Sequence, residues 1–238
     1  AYYDNTSTAA WVYTAMQGSY GLVWILKDVA FPDPGWQRRI TIAGGINAFV
    51  AVLGWYWVFG WLLISGTAQP DYPLPEFAWF CLCISLCIVG CAIMIAADAQ
   101  KYFTLRVQRG LITDGMHRYV RHPNYLGEIM IYGSFALMVW HWLPVIVLAW
   151  VWLGVFAINM IMKEASMSRY PELPAYKERT WWLASPVTPG DSPESGHDWR
   201  TRLAGTGPRS CSMARSRRRS RFSRLIVIPV GFWKSGTT

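Results

Sequence analysis

Residues 77–97 read FAWFCLCISLCIVGCAIMIAA, twenty-one consecutive positions without a charge, between Glu76 and Asp98. A helix crossing a bilayer core needs about 20 predominantly apolar residues, whereas a buried helix of a soluble domain shows runs of roughly 10–14. The run is therefore a membrane span, and the composition agrees with it. Of the 238 residues 53% are hydrophobic and 15% are charged, against about 25% charged in an ordinary soluble domain. Aromatic residues make up 16% of the chain, including 15 Trp. That mixture excludes a disordered protein, a collagen-like fibre and a small disulfide-stapled secreted domain. The expected fold class is all-α, a polytopic membrane helix bundle.

Four further stretches bring the expected spans to five. The first runs from about Ala9 to Leu26 and is interrupted by Gln17, Gly18 and Ser19; the second runs from about Ile42 to Ile64. The fourth and fifth lie between about Tyr125 and Met162, broken at Trp140, His141, Trp142 and Pro144. A Pro beside a Trp-rich break suits a hairpin at a membrane face. Lys27, Arg38 and Arg39 come after span one; Lys101, Arg106, Arg109, Arg118 and Arg121 come after span three; Lys163, Arg169, Lys177 and Arg179 close span five. Only Asp71 and Glu76 carry charge between spans two and three. The positive-inside rule then sets the Arg-rich loop and the C-terminus in the cytoplasm and the N-terminus outside. Asn5-Thr6-Ser7 is a glycosylation sequon on the outer side, a triplet common by chance.

The chain divides into three regions: N-terminal spans over 1–76, a membrane domain over 77–188, and a tail over 189–238. Residues 191–238 hold ten Arg/Lys against Asp191, Glu194 and Asp198, a net +7, while residues 1–190 net +1. The tail culminates in Arg215-Ser216-Arg217-Arg218-Arg219-Ser220-Arg221. It reads first as solvated and disordered, next as a site for anionic headgroups, and last as an RNA contact, because no RNA-binding fold precedes it. Leu225 to Trp233 is too short to span and contains Pro229. The chain starts at Ala1 without a signal-peptide pattern, a start that suits a trimmed or incomplete protein.

Ionisable residues at membrane depth are costly and mark functional sites. They gather at one end of the spans: Asp98, Lys101, Glu128, Lys163 and Glu164. Interfacial anchoring accounts for the lysines, less easily for Glu128 inside an apolar helix start. Just before it stands His117-Arg118-Tyr119-Val120-Arg121-His122-Pro123-Asn124-Tyr125-Leu126-Gly127-Glu128. Pro123 suits the first position of a helix, which sets Asn124 and Glu128 one turn apart on one face. The free N–H groups of that helix start, with Arg118, Arg121 and His122 beside them, form an anion site suited to nucleotide phosphates. Gly127 allows close approach of a ligand or another helix.

The octapeptide Arg121 to Glu128 resembles the signature shared by the steroid 5-alpha-reductases and sterol reductases, with their uncharacterised relatives, and by the isoprenylcysteine carboxyl and phospholipid methyltransferases. Tyr170-Pro171-Glu172, Tyr176-Lys177, Arg179-Thr180 and Pro186 are similar to the closing motif of the same superfamily. Two features tilt the resemblance toward the reductases. Asn124 and Glu128 keep the reductase pattern Asn-Tyr-x-Gly-Glu, and Asp98-Ala99-Gln100-Lys101-Tyr102 resembles the stretch ahead of the reductase nucleotide site. Methyltransferases often carry paired Glu after the last span, where only Glu164 follows Lys163 here.

The resemblance implies NADPH-dependent reduction of a carbon–carbon double bond in a steroid-like or other lipid-like substrate. It implies Arg118, Arg121 and Lys101 at the phosphates, Asn124 at the cofactor amide or ribose, and His122, Asp98, Glu164 and Tyr176 also at the cofactor. Glu128 or Tyr125 would act on the substrate. The alternatives are a methyltransferase using S-adenosylmethionine, which would use the same basic pocket, and a non-catalytic subunit packed among other membrane proteins through its Trp-rich surface. Membrane lipids are expected partners; nucleic acid is not. One departure from the reductases stands out: spans one and two hold no Asp or Glu within their apolar stretches, only Tyr20 and Tyr56 as phenols, and spans number fewer than the seven typical of steroid reductases. Cys83, Cys87 and Cys91 form one stripe on span three with Cys81 nearby. A metal wants ligands from several directions, so the stripe reads as packing. His141, between two Trp, reads as an interface residue.

Overall fold

The computed structural model describes residues 5–33 and 39–183. Arg38, Pro186, the tail over 189–238 and the Leu225 to Trp233 stretch lie outside the described residues. Within them the chain is all-α: α1 Thr8–Ala30, α2 Ile42–Ile64, α3 Glu76–Val107, α4 Pro123–Val139, α5 Trp142–Met167 and the short α6 Leu173–Arg179. Three of these, α2, α3 and α5, are long and apolar enough to cross a membrane. Only 22%, 33% and 28% of their apolar windows are buried inside the protein, so most of that apolar surface faces outward, as lipid-facing helices require. Trp57, Trp150 and Leu153 are among the exposed residues.

The first and fourth expected spans are not among those three. The helix α1 runs on past Leu26 through Lys27 and Asp28 to Ala30, and α4 has 17 residues. The third expected span also runs further, through Asp98 and Lys101 to Val107. The start of α1 is tied down twice. Ser7 caps it by accepting from the Ala10 N–H at 3.3 Å. The Asn5 amide nitrogen, the atom a glycan would modify, donates to Leu63 O at 2.9 Å.

The central contact is the crossing of α3 and α4. Cys83, Cys87, Gly90, Met94 and Ala97 form the buried stripe of α3, at the alternating spacing of three and four that one helix face requires. Gly90 and Gly127 sit against each other. A Cβ on Gly127 would stand 2.6 Å from Gly90 O and 2.7 Å from Met94 N, so the close approach serves another helix. Phe135, Met138 and Ile131 fill the rest of the seam.

Pro123 is the first residue of α4, as its fixed φ favours. At the other end, the terminal carbonyls of α4 find side-chain donors: Tyr72 Oη to Met138 O at 2.7 Å and Trp79 Nε1 to Leu137 O at 3.0 Å. The chain reverses at Trp140, which is left-handed at φ 45°. His141 then caps α5, its Nδ1 accepting from the Leu143 N–H at 3.2 Å, so it serves the hairpin.

Two helices carry a π-turn, Phe49–Leu53 in α2 and Trp152–Phe156 in α5. One extra residue rotates the rest of the helix by roughly 100°. The two helices meet close to these turns, where Trp150 Nε1 donates to Ala51 O at 3.2 Å. Beyond the turn in α2, Tyr56 stacks on Tyr132 of α4 with ring centroids 4.2 Å apart.

Candidate functional site

The site forms where α4 begins, and its frame is a carboxylate clamp. Glu164 of α5 accepts from Arg121 Nε at 2.6 Å and pairs with Lys177 Nζ at 2.9 Å. It also accepts from the Trp182 indole N–H. The same Arg121 guanidinium donates to the Thr180 carbonyl. Backbone bonds complete the seam: Arg121 N–H to Trp181 O at 2.9 Å, Trp181 N–H to Tyr119 O at 3.1 Å and His122 N–H to Trp182 O at 3.3 Å. The segment after α6 is thereby stitched alongside residues 119–122.

Above this frame lies a cavity of about 250 Å³ between α3, the loop after it, α4 and α5. Its wall carries Lys101, Arg121, Lys163 and Arg169 against one carboxylate, Asp98, with Asn124, His117, His122 and Tyr176 among the polar neighbours. The loop is shaped by Gln100, whose Nε2 donates to Asp114 O at 2.9 Å and whose Oε1 accepts from the Met116 N–H at 2.8 Å. Gly115 adopts φ +56° directly against that amide, a conformation and a space that suit glycine. Tyr176 donates to His117 O at 2.6 Å, and burial pushes its phenol up to about 12.

His122 is 3% exposed and its Nε2 has no hydrogen-bond partner among the described residues. Burial first, and Lys163 second, push its imidazole down to about 4, so the ring is neutral at pH 7. His117 is held low for similar reasons, burial and then Lys101, and its buried Nδ1 is also without a partner among the described residues. Two neutral imidazoles therefore belong to the wall of a chamber that is otherwise cationic, and His122 Nε2 lies 3.8 Å from the Glu164 carboxylate behind that wall.

From the wall the polar residues continue inward. Lys27 of α1 pairs with Asp98 of α3, both side chains under one-fifth exposed. Lys163 Nζ lies over the Tyr125 ring, 4.4 Å from its centroid. Glu128 feels Lys27, Asp98 and Lys163 electrostatically, yet no described residue hydrogen-bonds its carboxylate. One turn further along α4 comes Tyr132, whose hydroxyl is 3.0 Å from that of Tyr20 on α1. The Tyr56 hydroxyl beside them is buried without a partner among the described residues.

Asn124, Glu128 and Tyr132 recur every four residues, so they share one face of α4. At 1.5 Å per residue the stripe runs about 12 Å from the cavity wall inward. An anion held by the cations of the chamber would thus lie at one end of the stripe, and a pair of phenols at the other.

A family model described as a protein family of unknown function, DUF1295, matches residues 36–180, well over half of the chain. The chain belongs to the DUF1295 family. That family lies within the steroid 5-alpha-reductase-like superfamily. No curated protein and no solved structure matches the chain. In this DUF1295 protein the matched residues include the whole cavity wall with Glu128, Tyr56 and Tyr132, whereas Lys27 and Tyr20 come from α1, outside the match.

The residues singled out from sequence divide into four groups. Lys101, Asp98, Arg121, His122, Asn124 and Tyr176 meet on the cavity wall. Glu128 and Tyr125 belong to the inner group. Arg118 is not on the wall, and its guanidinium lies 5.5 Å from the centre of the Tyr119 ring. Glu164 stands behind the wall in the clamp. Sequence reasoning does not assign Lys27, Lys163 and Tyr132 to the site; for Tyr132 a signal exists, since it continues the spacing of Asn124 and Glu128.

Proposed function

We propose that this chain is an NADPH-dependent membrane reductase that saturates a carbon–carbon double bond in a steroid-like or other lipid-like substrate. The observation that carries the reading is the stripe from Asn124 through Glu128 to the Tyr20–Tyr132 hydroxyl pair. Saturating a polarised double bond needs a hydride at one carbon and a proton at the other. A phenol pair inside a lipid-facing bundle suits the second task, and a cation-lined chamber at the boundary suits the first. Transfer of a methyl group to a carboxylate or phospholipid has no use for a buried proton donor.

The donor set fits a nucleotide. Lys101, Lys163 and Arg169 match phosphate charge, and Asn124 offers an amide at the helix start. The cofactor supplies the hydride when bound. A volume of about 250 Å³ takes one end of a dinucleotide and leaves the other at the mouth, because drug-sized pockets run to roughly 300–1,000 Å³. In this reading Asn124 orients the inner end, Glu128 acts on the substrate end, and Tyr132 or Tyr20 delivers the proton. We further read α1 and α4 as crossing the membrane beside the three long apolar helices, with the basic end toward the cytoplasm and the N-terminus outside.

Purified protein in lipid nanodiscs tests the reading. NADPH should raise the unfolding temperature and S-adenosylmethionine should not, since only a ligand of the native state shifts stability by mass action. Asn124→Ala should weaken NADPH binding. Glu128→Gln should leave binding near normal and lower NADPH consumption with a 4-ene-3-ketosteroid probe. Protection by S-adenosylmethionine alone would move the chain to the methyltransferases. Full activity in both variants would remove the stripe from the mechanism.

A further inference from the structure

The cations at the cavity are not equivalent, and their partners separate them. Arg121 is consumed by Glu164 and by the Thr180 carbonyl. Lys101 Nζ lies 3.2 Å from the Asp33 carboxylate. Lys163 lies over the Tyr125 ring and within the field of Glu128 and Asp98. Arg169 remains. It lies on the turn after α5, is exposed, and pairs with no carboxylate among the described residues. Its guanidinium carbon is 5.1 Å from the centre of the Tyr170 ring, and that ring is also part of the cavity wall. Stacking of this kind preorganises the planar fork of an arginine while leaving its N–H groups free for an anion.

Depth adds a direction. Lys163 lies within α5 and Arg169 on the turn two residues past its end at Met167, and both line the cavity. If the reacting end of the cofactor lies inward toward Glu128, its adenosine end lies outward, at Arg169. The feature that distinguishes NADPH from NADH at that end is a phosphate monoester on the ribose, and an arginine is the usual partner for it. We propose that Arg169 selects NADPH over NADH by taking the 2′-phosphate at the cavity mouth. This rests on the nucleotide reading above and adds to it the residue that sets the choice.

Dissociation constants for NADPH and NADH, read from quenching of tryptophan emission in nanodisc-held protein, test it without any substrate. The wild type should prefer NADPH. Arg169→Gln should raise the NADPH constant about 10- to 100-fold, the loss expected for a charge-assisted hydrogen bond, with NADH nearly unchanged. Arg169→Lys should recover part of the preference, and Arg109→Gln, an exposed cation off the cavity wall, should change neither constant. Equal weakening of both nucleotides, or an unchanged preference, would overturn the assignment of Arg169. Equal wild-type affinity for the two would overturn it as well and leave the reductase reading standing. A wild type that binds neither takes down the nucleotide reading and this inference with it.

Discussion

Replacing Arg121 by Gln separates a structural clamp from a phosphate ligand at the start of α4. As a cation beside a helix N-terminus Arg121 suits a phosphate; in the fold its guanidinium is committed to Glu164 at 2.6 Å and to the Thr180 carbonyl. The Arg121 and Glu164 side chains are 12% and 13% exposed. Removing one partner of a buried pair costs about 3–5 kcal/mol, because the other charge is left buried. Here Lys177 would still hold Glu164, but from a side chain 42% exposed, which places the cost near the lower end. Arg121→Gln should therefore destabilise by about 3 kcal/mol, a fall of about 6–12 °C in unfolding temperature for a chain of this size. Glu164→Gln should fall by a similar amount. The double variant should lose less than the sum, since the two side chains share one interaction. Tryptophan emission tracked through thermal unfolding in nanodiscs measures all four proteins. If Arg121→Gln melts with the wild type and loses NADPH affinity instead, the clamp is not a frame and Arg121 is a phosphate ligand.

Gly127→Ala should be among the most damaging small substitutions, because its Cβ would meet two backbone atoms, Gly90 O and Met94 N, at 2.6 and 2.7 Å. The helices must then separate, at a cost of about 1–3 kcal/mol or more. Gly133→Ala on the same helix, with Trp152 at 3.9 Å as its nearest neighbour, should be tolerated in the same melting assay. The buried histidines predict an acid dependence. His122 titrates at about 4 in the fold against 6.5 as a free side chain, so between those values the unfolded chain takes up protons that the folded chain refuses. Stability should be intact above pH 6.5 and fall as pH drops toward 4, and His117 acts in the same direction. His122→Gln should flatten that fall, and an unchanged pH profile would show that the imidazole is not held neutral.

Local signals in the chain carry far. The charge-free run of 77–97, the helix start at Pro123 and the break at Trp140 arise from hydropathy and proline chemistry, and the folded chain keeps each of them. Span limits carry less well. Polar residues such as Lys27 and Asp98 do not stop a helix when each neutralises the other across a helix pair. Clamps are the hardest to read. Glu164 lies 43 residues from Arg121, and no local pattern tells a free arginine from one already paired. Tyr56 poses another difficulty: the π-turn at Phe49–Leu53 resets the face that α2 presents to α4, so simple helical periodicity misplaces the residues beyond it.

The polar residues behind the cavity weigh against a purely packing role for the fold. A lysine and two carboxylates at the positions of Lys27, Asp98 and Glu128 cost more in a lipid-facing bundle than the apolar residues that would fit there, unless every charge is paired and hydrogen-bonded. Lys27 and Asp98 meet that condition. Glu128 does not, since none of the described residues donates a hydrogen bond to it, and Lys163 rests on an aromatic face. The Tyr56 hydroxyl and the His122 Nε2 share the defect: both are buried and unpartnered among the described residues. Glu128 and the Tyr56 hydroxyl, next to the Tyr20–Tyr132 pair, make a costly arrangement for a scaffold. Under the proposed reading these are the groups that meet the substrate.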